Sequence, residues 1–183
     1  MNAAQLRALQ APLKTSYRED PSRAQWTLKA SGRLGGDTVT CRLETPHGVI
    51  VAGLHPATGG DGKDACSGDM LLEALVACAG VTLKAVATAL DLPLRGGTVT
   101  AEGDLDFRGT LGVARDVPAG FTAIRLKFDL DSDASPEQLA KLVETTERYC
   151  VIYQTLRNSP SITVQSLVRT AGEGGTHPAG MGG

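Results

Sequence analysis

Residues 67–83 read SGDMLLEALVACAGVTL, and residues 147–156 read ERYCVIYQTL. The first stretch lies within an apolar run, residues 70–90, of about the length that crosses a bilayer. Glu73 and Lys84 interrupt that run, and small residues fill its middle, so we expect a helix buried in a soluble core. Ser67 is its expected N-cap, and Asp69 falls in the first turn, where a negative charge suits the helix dipole. Leu92-Pro93 marks its end. Cys78 sits near its centre. The second stretch closes another helix. Ser135-Pro136-Glu137-Gln138 is a capping box with proline at the first helical position. From there Leu139, Leu142, Val143 and Thr146 form one stripe, which Cys150 extends. Residues 151–157 are expected to continue as a further helical piece.

Strand signals surround these helices. Trp26, Leu28 and Ala30 alternate with polar residues and predict a half-buried strand, and residues 32–37 predict a turn. Val39, Cys41 and Leu43 mark one face of a second strand, and residues 48–53 a third. Residues 54–69 form a long Gly-rich loop, of a kind that is often functional. Residues 97–107 alternate without a break and predict a strand with one face in solvent. Residues 109–120 read as a loop, and Ile124, Leu126, Phe128 and Leu130 mark the next strand. Residues 161–168, SITVQSLV, predict a last one. Leu6, Leu9 and Leu13 suit a short N-terminal helix limited by Pro12 and Pro21. Runs of strands separated by helices define an α+β class with largely antiparallel sheets. The expected organisation is an extension over 1–24, one domain over 25–170, and a flexible tail over 171–183.

Composition excludes several classes. The net charge of −2 and an aromatic content of 4% give no footprint for nucleic acid or an anionic membrane. With 42% hydrophobic residues among 183, the chain can build its own core without disulfides. The four cysteines, Cys41, Cys66, Cys78 and Cys150, form no C-x-x-C pair. His47, His55 and His177 lack metal-ligand spacing, and no cofactor is expected. No signal peptide is evident, so a reducing cytoplasm is the expected compartment.

An Ala-rich apolar helix with a mid-helix cysteine, two long strands, and a helix ending in a second cysteine together resemble the OsmC/Ohr family. The match of order and spacing runs over roughly residues 25–168. The resemblance implies an intertwined homodimer, with long central helices buried back to back between sheets. It also implies reduction of organic hydroperoxides by a cysteine pair, with Cys78 attacking and Cys150 resolving. The thiolate is the nucleophile, and burial raises a thiol's pKa, so a cation is needed. By resemblance that cation is Arg33, in SGRLGG, with Arg18 as second choice. An acid usually pairs with the arginine. Gly68 occupies the usual offset, which leaves Asp69 by position or Glu73 by reach. Val151 stands where many relatives have proline. The implied reductant is an external dithiol of the lipoyl type.

The substrate pocket should be apolar, with Leu71, Leu75, Tyr149 and Tyr153 as wall candidates. Cys41 is expected in the core and Cys66 as an inert loop thiol. Fold does not fix function. An apolar-ligand carrier with idle thiols, or thiol chemistry on a thioester or disulfide, competes with the peroxidase reading.

Overall fold

The computed structural model describes residues 1–168. The expected tail over 171–183 and His177 lie outside the described residues. Helix α1 (Ala3–Glu19) opens on a capping box between Asn2 and Gln5, and it runs through Pro12. We expected Pro12 to limit this helix. Most of it is solvent-exposed, so the loss of one backbone hydrogen bond at proline is tolerated there. A turn of 3₁₀-helix at Pro21–Ala24 follows.

The expected strand over 26–31 does not form. Trp26 is 79% exposed and Leu28 91%. The first strand lies instead where a turn was expected. Strand β1 (Gly32–Leu34) pairs antiparallel with β2 (Cys41–Thr45), in the register Gly32↔Leu43 and Leu34↔Cys41. Gly32 is needed there, because a Cβ would stand 2.5 Å from the Cys41 sulfur. The reversal falls on residues 35–40, closed by the Gly35 amide on the Thr40 carbonyl at 2.8 Å. Strand β3 (Gly48–Gly53) pairs antiparallel with β2. A two-residue strand, β4 (Ala65–Cys66), pairs parallel with β3 and completes the sheet. Sequence patterning cannot show a strand that short, and residues 54–69 read as loop throughout.

Helix α2 (Ser67–Ala89) takes Cys66 as its N-cap rather than Ser67, and the cap makes no side-chain hydrogen bond. Its buried stripe is Leu75, Ala79, Leu83 and Ala87, at a strict spacing of four. By length and composition α2 could cross a membrane, but this stripe packs against the rest of the chain. The opposite side is open, with Val81 72% exposed. A single chain therefore covers one face of the helix that we expected to be buried nearly all round.

Strands β5 (Leu94–Asp104) and β6 (Ala123–Ser132) form a separate antiparallel pair. Between them sits a one-turn helix, α3 (Phe107–Thr110), capped by Asp106 where strand was expected to continue. The outer face of the pair carries two ion clusters. Arg125 pairs with Glu102 and Asp104, and Arg95 with Asp131 and Asp133. Helix α4 (Pro136–Tyr149) starts on the Ser135–Gln138 capping box and buries Leu142 and Thr146. Leu142, Leu83 and Ala87 form the core cluster, with Leu92, Phe128 and Leu139 packed on it. Helix α5 (Val151–Arg157) follows directly. Residues 161–168 form no strand here, and all of them are exposed. Both sheets keep free edges, and this segment pairs with none of them.

Candidate active site

The chain reverses sharply at Cys150, which is both the C-cap of α4 and the N-cap of α5. Its amide donates to the Thr146 carbonyl at 2.8 Å, and its carbonyl accepts from the Gln154 amide at 2.9 Å. The first amides of α5 have no partner within the helix. They lie beside two thiols. The groups that bear on the Cys78 thiol are the Ile152 and Val151 amides, the Cys150 thiol, and the Thr82 hydroxyl one turn along α2. The Tyr153 and Ile152 amides bear on the Cys150 thiol.

Opposite shifts follow from this geometry. Burial pushes the Cys78 thiol up, but the donors from Ile152, Cys150, Val151 and Thr82 outweigh it, and the net shift is downward. Cys150 is 1% exposed, and its thiol is pushed up, first by burial and then by the neighbouring Cys78. Cys78 is only half-buried. The two cysteines thus divide into an accessible thiol shifted toward ionisation and a buried thiol shifted away from it.

The structure brings Cys78 and Cys150 together. It does not bring the other sequence candidates to them within one chain. Arg33 is exposed on β1, and Asp69 and Glu73 are exposed in the first two turns of α2. Arg18 is exposed in the last turn of α1. Among the described residues, the groups that bear most on the Cys78 sulfur include no arginine and no acid. Cys41 is half-buried on the small sheet rather than in the core. Cys66 is half-buried at the start of α2.

A cavity of about 330 Å³ opens one helical turn from Cys78. Leu75, Tyr153, Leu156, Phe121, Ile124 and Leu126 make its apolar wall, and Arg157 is its charged member. Leu75 and Tyr153 were among the four expected wall residues. Leu71 lines a neighbouring cavity, and Tyr149 is exposed under the Arg148 guanidinium. Tyr153 is fixed by donating to Glu147 at 3.1 Å. Sequence reasoning missed Thr82, Phe121 and the α5 amides. Thr82 was within reach of it, since it lies four residues from Cys78 on a predicted helix. Phe121 and the amides depend on tertiary placement.

On an α+β scaffold, this is a two-thiol site in which helix-end donors favour ionisation of one sulfur and a second sulfur stands beside it. The OsmC-like protein family profile matches residues 60–165, more than half of the chain, and the chain belongs to that family. No curated protein matches it in sequence. Among solved structures, it is similar to an OsmC-like protein from Mycoplasma pneumoniae, with a TM-score of 0.61 and 18% identity over 74% of this chain and 90% of that one. It is also similar to an organic hydroperoxide resistance protein from Elizabethkingia anophelis, with a TM-score of 0.56 and 16% identity over 74% of this chain and 91% of that one. A Legionella pneumophila organic hydroperoxide resistance protein aligns with a TM-score of 0.56 and 16% identity, over 73% of this chain and 93% of that one. At these identities the likeness establishes the fold.

Proposed function

We propose that the protein is a thiol-dependent peroxidase that reduces organic hydroperoxides in the cytoplasm. The Cys78 thiolate attacks the terminal peroxide oxygen, the O–O bond breaks, and the leaving alkoxide takes a proton to become an alcohol. Cys78 is left as a sulfenic acid. The Cys150 sulfur then attacks the Cys78 sulfur and expels hydroxide, which leaves as water, so that a Cys78–Cys150 disulfide closes. An external dithiol of the lipoyl type restores both thiols by exchange. The single observation behind this reading is that the half-buried Cys78 thiol lies beside the buried Cys150 thiol and the first amides of α5.

The working form in this proposal is an intertwined homodimer. The open face of α2 and the unpaired edges of both sheets are what a second copy would cover. The cation needed beside Cys78 is then the partner's Arg33, with Asp69 or Glu73 orienting it.

A second reading, an apolar-ligand carrier with idle thiols, draws on the apolar cavity and on the absence of an arginine, among the described residues, from the groups that bear most on Cys78. Steady-state consumption of cumene hydroperoxide with dihydrolipoamide as reductant separates the two. The peroxidase reading expects turnover in the parent, none in Cys78→Ser, and slower turnover in Cys150→Ser, where the external dithiol must reduce the Cys78 sulfenic acid directly. Equal turnover by Cys78→Ser and parent would remove it.

A further inference from the structure

The cavity beside the thiols ends at one aromatic ring. Phe121 closes the loop between α3 and β6. It is held there by Thr122, whose amide and hydroxyl both donate to the Asp104 carbonyl, at 2.8 and 3.1 Å. The ring lies over two glycines. A Cβ at Gly103 of β5 would stand 2.4 Å from a ring carbon, and one at Gly68 of α2 would stand 3.5 Å from another. The strand and the first turn of the helix thus leave a slot that the ring fills. The ring lines the 330 Å³ cavity with Leu75 and Tyr153. It also lines a cavity of about 370 Å³ that includes Cys66, Leu71, Leu105 and Phe107. His55 also lines it, with its imidazole stacked on Phe107 at 4.9 Å between centroids. Phe121 belongs to both walls, and to that of a third cavity of about 380 Å³ that shares His55, Cys66 and Phe107 with the second and includes Asp69 and Asp104.

We propose that Phe121 partitions a single apolar channel and so sets the length of alkyl chain that the site accepts, the far cavity being room for the distal carbons of a longer chain. The identity of the reacting head rests on the peroxidase reading; the length limit rests on the cavities alone. The phenyl ring makes no polar contact and is kept in place by packing. The walls of its slot are backbone, fixed by the β5–β6 ladder and by the α2 turn, so trimming the ring leaves an opening. Each methylene that enters an apolar channel strengthens binding about fourfold, and each methylene stopped at the ring adds nothing.

The test compares the parent with Phe121→Ala, Phe121→Leu and Phe121→Trp. Two quantities are read across straight chains from butyl to hexadecyl: kcat/KM for the primary hydroperoxides, and affinity for the unreactive primary alcohols by displacement of an environment-sensitive dye. In the parent both should rise about fourfold per methylene and then level off. Phe121→Ala should carry the rise past that length, with about a tenfold gain or more for the longest chains. Phe121→Leu should fall between, and Phe121→Trp should level off earlier. If Phe121→Ala does not fold, the leucine and tryptophan variants decide. Folded variants that level off at the parent's length would overturn the proposal. Shifted alcohol profiles without any hydroperoxide consumption would sink the peroxidase reading and leave the channel standing. Consumption with unshifted profiles would do the reverse.

Discussion

Thr82 is the residue through which the state of Cys78 can be tested with least disturbance. Its hydroxyl is one of four donors that overcome the upward push of burial on the Cys78 thiol. A lowered pKa means more thiolate at neutral pH, so iodoacetamide should modify Cys78 with a midpoint below the ordinary thiol value of about 8.5. Thr82→Val keeps the side chain's shape and removes the donor. A hydrogen bond to a charged acceptor is worth up to about 1.5–3 kcal/mol, less at a half-exposed sulfur. We therefore expect the midpoint to rise and the reaction at pH 7 to slow by up to about tenfold. An unchanged midpoint would show that the hydroxyl does not contribute. Cys150 shifts the other way, so its own modification should begin only at higher pH than that of Cys78. At this scale the sequence was informative about which thiols matter and silent about what surrounds them. Two cysteines on separate helices can be read from spacing, but the amides of Val151 and Ile152 become donors only because the chain turns at Cys150. Arg33 was read from a turn, and β1 places it in a strand away from the sulfur.

Among the elements, α4 is the one that carries the second thiol to the first. Leu142 is fully buried against Leu83 and Ala87 of α2. Leu142→Ala should cost about 2–5 kcal/mol, measured by urea unfolding, because a cavity opens where α4 meets α2. Ser135→Ala removes the cap and should cost only about 1 kcal/mol. A Leu142→Ala variant as stable as the parent would mean that this contact does not hold the helices together. The elements legible in advance are those that state their own period or ends: the capping box at Ser135, the alternation of β5 and β6, the apolar length of α2. Those missed are set by partners. β4 is two residues long and exists only beside β3. Residues 26–31 and 161–168 alternate well enough for strands, yet they pair with none of the free sheet edges within the described chain.

For the whole molecule, the surface left open is the main physical fact. Only a handful of side chains are fully buried, and α2 shows its second face to solvent. Sedimentation equilibrium should give twice the 19.0 kDa chain mass, and Val81→Asp, on the open face of α2, should shift it toward the monomer. A monomeric parent would remove the dimer from the account. If the partner supplies Arg33, a sharper result follows. Arg33→Met and Cys78→Ser homodimers should each be inactive or nearly so. Mixed dimers should regain activity, since the Cys78→Ser subunit carries the arginine that the other subunit's Cys78 needs. No recovery in mixed dimers would place the arginine within its own chain or outside the site.

The most direct measurement is peptide mapping by mass spectrometry after one equivalent of an organic hydroperoxide is added to the reduced protein. The account predicts a peptide pair linked through Cys78 and Cys150, formed in step with peroxide loss, with Cys41 and Cys66 still free. Peroxide consumed without that link, or a link formed through Cys66 instead, would contradict it.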